Sequence, residues 1–177
     1  MGGNIVRRLA KCGHTAIVYD RRADAVAALT GEGTTAAASL ADLVNKIDRP
    51  RAVWVMLPAG TATGEAVHTL GTLLAVDDVI IDGGNSFYRD DIARAATLKE
   101  RGIHYLDVGT SGGVWGLERG YCMMIGGDGD VVKRLDPIFA TLAPGTGTIP
   151  RTPGREGRDP RAEKGYIHCG PVGSGHF

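Results

Sequence analysis

The chain has 177 residues, of which 20 are Lys or Arg and 20 are Asp or Glu, so its formal net charge is zero. A neutral chain offers no electrostatic basis for binding nucleic acid or an anionic membrane, and no apolar run reaches transmembrane length. Three cysteines without CxxC spacing argue against a disulfide framework, and five scattered histidines show no metal-ligand spacing. We therefore expect a soluble, cytoplasmic globular protein without a metal, whose histidines are structural.

The apolar pattern predicts helices and strands in alternation. Helices are predicted at residues 4–10, 23–29, 40–44, 63–74 and 130–142, and Ser86 and Asp90 are predicted to cap a further helix that ends near residue 100. Strands are predicted at residues 15–19, 52–57, 78–82, 103–107 and 121–125. Several of these strands are continuously apolar, as strands covered on both faces are. The pattern therefore predicts an α/β doubly wound, mainly parallel sheet with helices on both faces.

Residues 144–160 are rich in Pro, Gly and Arg, which predicts a loop or a linker. We expect residues 1–163 to form one domain that includes this loop. Residues 164–177 (KGYIHCGPVGSGHF) are predicted to begin a second one.

The first twenty residues suggest half of a dinucleotide site. Gly2 precedes a helix whose free amides would suit a pyrophosphate, and Asp20 ends an apolar strand where a ribose-binding acid is expected. A carboxylate there favours NAD, whereas Arg21 and Arg22 would attract the 2′-phosphate of NADP. NAD is slightly favoured and NADP stays open. The alternative is that both arginines are solvated surface residues.

Three loops follow buried strands at the edge where open α/β sheets bind ligands. They are residues 56–60 (MLPAG), 82–86 (DGGNS) and 107–120 (DVGTSGGVWGLERG). Asn85 could bond a hydroxyl of a ligand, and Ser111, Gly112 and Gly113 offer a hydroxyl and free amides to an oxyanion. The alternatives are a tight loop with a helix cap and a glycine-rich surface turn.

The segments GGNIVRRL, VMLPAG, IDGGNSFYRDD, DVGTSGGVWGLERGYCMMIGG and CGPVGSGHF together resemble decarboxylating 6-phosphogluconate dehydrogenase. The segment GVWGLERGYC is similar to the corresponding segment of the shorter bacterial form of this enzyme, which often prefers NAD. The wider β-hydroxyacid dehydrogenase superfamily, which includes 3-hydroxyisobutyrate dehydrogenase, shares a looser version of these motifs. The resemblance implies a Rossmann-like fold, 6-phosphogluconate as substrate, oxidation at C3 followed by loss of CO₂, and a homo-oligomer.

The resemblance also implies roles for particular positions. Those matching cofactor-binding residues are Gly2, Asp20, Arg21, Arg22, Leu57, Pro58, Ala59 and Asn85, and those matching substrate-binding residues are Asn85, Ser111, Gly112 and Gly113. In the family GPVGSGHF is followed by a catalytic lysine, a His-Asn pair and a glutamate, so these are expected beyond Phe177.

The same comparison implies truncation at both ends. The all-α C-terminal domain is expected to be absent, and the sheet is expected to lack its first strand, which in the order 3-2-1-4-5-6 is central. Two other hypotheses remain: a 3-hydroxyisobutyrate-type enzyme, and a non-catalytic nucleotide-binding fragment.

Overall fold

The structure is a computed structural model that describes residues 1–31, 33–148, 150 and 152–177. The α-helices of these residues are Gly2–Lys11 (α1), Ala23–Ala27 (α2), Leu40–Lys46 (α3), Thr61–Leu73 (α4), Tyr88–Lys99 (α5), Gly116–Arg119 (α6), Gly129–Arg134 (α7) and Asp136–Leu142 (α8). The strands are Ala16–Val18 (β1), Thr34–Ala36 (β2), Ala52–Val55 (β3), Val79–Asp82 (β4), His104–Ser111 (β5), Cys122–Gly126 (β6) and Tyr166–Gly170 (β7). None of the helices within these ranges is long and apolar enough to cross a membrane.

The strands form two sheets. β1 pairs with β2 in parallel, and a five-stranded sheet has the order β3-β4-β5-β6-β7. Within it every neighbouring pair is parallel except β5 and β6, which are antiparallel. The predicted α/β, mainly parallel fold is confirmed. β1 and β3 lie in different sheets.

The five-stranded sheet is covered on both faces. Val79 and Ile81 of β4 pack with Ile5 of α1 and with residues of α7 and α8, whereas Ile80 faces α3, α4 and α5. All three β4 side chains are at most 1% exposed. The continuous apolar run of this strand is therefore explained by helices on both of its faces.

Helix caps and breaks follow their local sequence. The Ser39 hydroxyl accepts a hydrogen bond from the Asp42 amide (3.0 Å), which confirms the predicted N-cap of α3. The stretch predicted as one helix interrupted by Pro137 divides into α7 and α8. Pro137 lies in the first turn of α8, where its missing N–H costs nothing.

Residues 164–177 include one strand of the five-stranded sheet. Tyr166–Gly170 form β7, which is parallel to β6 at the end of the same sheet. These five residues therefore extend the five-stranded sheet. The boundary predicted at residue 164 and the second domain beyond it stay predictions.

Candidate functional site

The carboxyl ends of β1, β3 and β4 are followed by the loops that carry the candidate cofactor residues. β4 and β5 are parallel, and their Asp82 and Asp107 are opposite each other in the register. Because parallel strands end at the same edge of a sheet, the Asn85 loop and the Ser111 loop leave from the same edge.

Helix α1 begins beside the end of β3. A Cβ built on Gly2 would lie 3.4 Å from the Met56 Cβ, and Leu57, Pro58 and Ala59 follow directly and are exposed. The first turn of α1 has no acidic residue and no side-chain cap. The positive end of the helix dipole is therefore placed next to an exposed loop, an arrangement that suits an anionic group.

A cavity of about 400 Å³ lies at the carboxyl end of β1 and β2. It is lined by Tyr19, Asp20, Arg21, Ala23, Val26, Ala27, Thr30, Ala36, Ala37 and Ala38. The walls are largely small and apolar, with one carboxylate and one guanidinium at the rim. Such a lining fits a flat heterocycle joined to a sugar.

Charge at this rim is partly neutralised within the protein. The Asp20 carboxylate accepts a hydrogen bond from the Arg22 amide (2.9 Å). The Arg21 guanidinium lies 3.7 Å from the Glu65 carboxylate of α4, and Arg22 lies 4.0 Å from Asp24. All four of these paired side chains are mostly exposed.

The Asp82–Ser86 loop is organised by a buried carboxylate. Asp82 is fully buried, and its oxygens accept hydrogen bonds from the Gly84 amide (3.0 Å) and the Ser86 hydroxyl (2.7 Å). A Cβ on Gly84 would lie 2.9 Å from the Leu57 carbonyl oxygen, so this loop touches the Leu57 loop. Asn85 remains exposed at the point where the two loops meet. The prediction that Ser86 and Asp90 cap α5 is wrong, because α5 begins at Tyr88 without a side-chain cap and Asp90 lies in its first turn.

Ser111, Gly112 and Gly113 lie at the end of β5. Ser111 is the last residue of the strand and is exposed, and Gly113 has a positive φ of 52° and opens a 3-10 turn. A Cβ on Gly112 would lie 2.8 Å from the Tyr121 ring. Close packing therefore favours glycine at position 112, and the positive φ favours glycine at position 113.

Sequence reasoning missed a buried polar cluster behind these loops. Asp82, Asp91 and Asp107 are each fully buried, although they come from β4, α5 and β5. The His176 imidazole, interpreted from sequence as an isolated structural group, donates to Asp91 from Nδ1 (2.8 Å). Acidic residues ending the apolar runs VIID and HYLD are the signal that could have pointed to this cluster.

The fold and these loops define an α/β dinucleotide-binding domain. The family model for the NAD binding domain of 6-phosphogluconate dehydrogenase matches residues 1–149. The chain therefore belongs to the 6-phosphogluconate dehydrogenase family and contains its NAD-binding domain.

Known relatives agree with this family. An NAD⁺-dependent, decarboxylating 6-phosphogluconate dehydrogenase of Haloferax volcanii is 36% identical over 177 residues, which is all of this chain and 52% of the relative. The Plasmodium falciparum 6-phosphogluconate dehydrogenase, solved with NADP⁺ and with 6-phosphogluconate, superposes with a TM-score of 0.84 at 25% identity, over 99% of this chain and 36% of that one. A Mycobacterium tuberculosis 3-hydroxyisobutyrate dehydrogenase shares the fold, with a TM-score of 0.81 at 23% identity over 99% of this chain and 53% of that one. The chain spans about half the length of the Haloferax relative.

Proposed function

We propose that this chain is the cofactor-binding portion of an enzyme that converts 6-phosphogluconate to ribulose 5-phosphate and CO₂ with NAD or NADP. The observation that carries the proposal is the meeting of the Leu57 and Gly84 loops at the sheet edge that also presents Ser111. Relatives named for this reaction, one of them NAD⁺-dependent, support it. A homo-oligomer of the whole enzyme is part of the same proposal.

The nicotinamide cofactor fits the described residues. The cavity beside Asp20 would take the adenosine, the start of α1 at Gly2 the pyrophosphate, and Leu57, Pro58 and Ala59 the far half of the molecule. When bound, the cofactor would supply a hydride acceptor.

Three features favour NAD over NADP. Asp20 would accept a hydrogen bond from the ribose 2′-hydroxyl and repel a 2′-phosphate. Arg21, which could attract that phosphate, lies 3.7 Å from Glu65 and is partly neutralised by it. Arg22 is similarly close to Asp24.

The substrate end would be formed by Asn85 and by the loop from Ser111 to Gly113. The Asn85 side chain is exposed beside the Leu57 loop, where it would reach both cofactor and substrate. The Ser111 hydroxyl and the amides of Gly112 and Gly113 would hold an anionic group of the sugar acid. Because the resemblance places the catalytic lysine beyond Phe177, we expect the 177-residue chain to bind ligands without turning them over.

Ligand binding tests the substrate. Calorimetric titration of the chain in saturating NAD is expected to give binding of 6-phosphogluconate and weaker binding of 3-hydroxyisobutyrate. Ser111→Ala removes one hydrogen bond to an anion, which is expected to weaken 6-phosphogluconate binding by roughly tenfold. Thr97→Ala, on the exposed face of α5, is the matched control and is expected to have no effect.

Tighter binding of 3-hydroxyisobutyrate would overturn the substrate assignment in favour of the small-acid enzyme. The ultraviolet absorbance of the reduced nicotinamide tests the second half of the proposal. Turnover of 6-phosphogluconate by the 177-residue chain would show that the catalytic groups lie within it.

A further inference from the structure

The segment that follows β7, residues 171–177, lies against β5 and β6 at backbone distance. A Cβ on Gly109 of β5 would be 2.7 Å from the Gly175 carbonyl oxygen, and a Cβ on Gly126 of β6 would be 2.8 Å from the Gly175 nitrogen. Side chains at these positions would displace the segment. Glycines at these positions of two adjacent strands therefore leave the space that the segment occupies.

Asp107 binds the backbone of the segment. Its carboxylate accepts hydrogen bonds from the amides of Gly173 (2.7 Å), Gly175 (2.8 Å) and His176 (2.8 Å). Asp107 is fully buried, so these hydrogen bonds replace the water that the charge loses on folding. Four residues further along β5 is Ser111, which ends the strand.

His176 joins the segment to α5. Its Nδ1 donates to Asp91 at 2.8 Å, and the two side chains are 3% and 0% exposed. The other oxygen of Asp91 lies 2.9 Å from the Tyr105 hydroxyl and 3.4 Å from the Arg94 guanidinium.

The same two groups reach the Asn85 loop. The Tyr105 hydroxyl lies 3.0 Å from Asp82, and Arg94 lies 3.4 Å from Asp82 and 3.5 Å from the Ser86 hydroxyl. Asp82 in turn accepts from the Gly84 amide. The Tyr105 hydroxyl has one proton and donates to only one of the two carboxylates, whereas the Arg94 guanidinium can donate to both. His176 is therefore linked through Asp91, Arg94 and Asp82 to the backbone beside Asn85.

The charges around His176 favour its protonated form. Burial alone lowers the pKa of the imidazole, but the hydrogen bond and charge of Asp91, with the charges of Asp82 and Asp107, raise the pKa above the ordinary value. The three carboxylates that face the imidazole come from β4 (Asp82), α5 (Asp91) and β5 (Asp107). The Arg94 guanidinium is a second positive charge beside Asp82 and Asp91. His176 Nε2 is buried and has no hydrogen-bond partner among the described residues. The protonated form of His176 is therefore stabilised by the surrounding carboxylates.

We propose that His176 is a positioning residue, which through Asp91 and Asp107 fixes residues 171–177 and thereby the two loops that carry Asn85 and Ser111. The importance of those loops for substrate rests on the proposed function. The linkage itself does not depend on any ligand.

Nuclear magnetic resonance of the full chain without ligand tests the linkage. The ring resonances of His176 are expected to titrate above about pH 6.5, the value of a free histidine, and the amide resonances of Asn85 and Ser111 are expected to shift with the same midpoint. The melting temperature is expected to fall by roughly 3 °C or more as the pH rises through that midpoint. The sign follows because a raised pKa contributes stability that is present below the unfolded pKa and lost above the folded one.

Two substitutions separate the charge from the hydrogen bond. His176→Asn keeps an N–H near the position of Nδ1 and removes the titrating imidazole, so this variant is expected to fold. Its Asn85 and Ser111 amide resonances and its melting temperature are expected to lose the change that occurs at the His176 midpoint. His68→Gln removes an exposed imidazole of α4 and is expected to keep the wild-type pH dependence.

Unchanged pH dependence in His176→Asn would overturn the proposal. So would Asn85 and Ser111 amides that do not follow the His176 titration. A failure of 6-phosphogluconate to bind would overturn the proposed function and leave this linkage standing, so the two failures can be told apart.

Discussion

At the scale of single residues, the proposed preference for NAD rests in part on how one arginine is paired. Arg21 and Asp20 are at the same rim of the cavity, and Glu65 approaches Arg21 from α4. Glu65 would therefore act on cofactor choice without lining the cavity, by reducing the positive charge available to a 2′-phosphate. The pair is exposed, so its effect is limited by solvent and salt.

Glu65→Gln is expected to tighten the binding of 2′-phospho-ADP-ribose on the order of threefold and to leave ADP-ribose within error. The reason is that Arg21 is released from its partner and only one of the two ligands carries the extra phosphate. Calorimetric titration at low salt measures both affinities. Glu100→Gln is the matched control, because Glu100 follows the end of α5 at the opposite edge of the sheet. Equal changes for both ligands would contradict a role for Glu65 in discrimination.

At the scale of elements, α1 is held to the body of the domain by a polar anchor as well as by its apolar face. The Arg8 guanidinium donates to the carbonyl oxygens of Thr141 (2.9 Å), Ala143 (2.8 Å) and Leu117 (3.2 Å). These carbonyls are at the end of α8, just after it, and within α6. The anchor fixes the direction of the helix whose N-terminus would face the pyrophosphate.

Arg8→Ala is expected to lower the free energy of unfolding by about 2 kcal/mol, because it leaves several part-buried carbonyls without their charged donor. Lys11→Ala, an exposed residue of the same helix, is expected to change it by less than about 0.5 kcal/mol. Urea denaturation followed by circular dichroism measures both. A loss as small for Arg8 as for Lys11 would show that α1 is held by its apolar face alone.

Several elements could be predicted from local sequence because their causes are local. The Ser39 cap needs only its own helix start, and the buried strand β4 is indicated by its unbroken apolar run. β2 was not predicted because its residues, Thr34–Ala36, contain no apolar run such as the one that indicates β1. Ser86 looked like a cap, but its hydroxyl is taken by Asp82, a tertiary contact to the preceding strand.

The residues of the candidate site can likewise be separated into those with local causes and those that depend on long-range contacts. Asn85, Ser111 and the Leu57 loop follow strands, so a parallel sheet places them at one edge without further information. The cluster of Asp82, Asp91, Asp107 and His176 depends on contacts across as many as 85 positions, and no spacing in the sequence indicates them. Long-range hydrogen bonding is therefore the part of the site that required the structure.

At the scale of the whole molecule, the proposed cofactor site extends across two sheets. The cavity proposed for the adenosine is on β1 and β2, whereas the Leu57 and Asn85 loops are on the five-stranded sheet. Among the residues that the structure describes, the two sheets share no strand ladder. Helix α1 contacts both: Ile5 joins the core beside β4, and the helix also contacts β1. We therefore expect weak cofactor affinity, because binding must hold the two parts in register.

Amide chemical-shift mapping with NAD tests the central claim most directly, because it detects weak binding and locates it. The account predicts saturable shifts at residues 2–3 of α1, at residues 19–22 after β1 and at residues 57 and 59 after β3, although β1 and β3 belong to different sheets. In Asp20→Ala the shifts at residues 19–22 are expected to be lost first. Shifts that do not saturate, or that fall away from the carboxyl edge of the strands, would contradict the account.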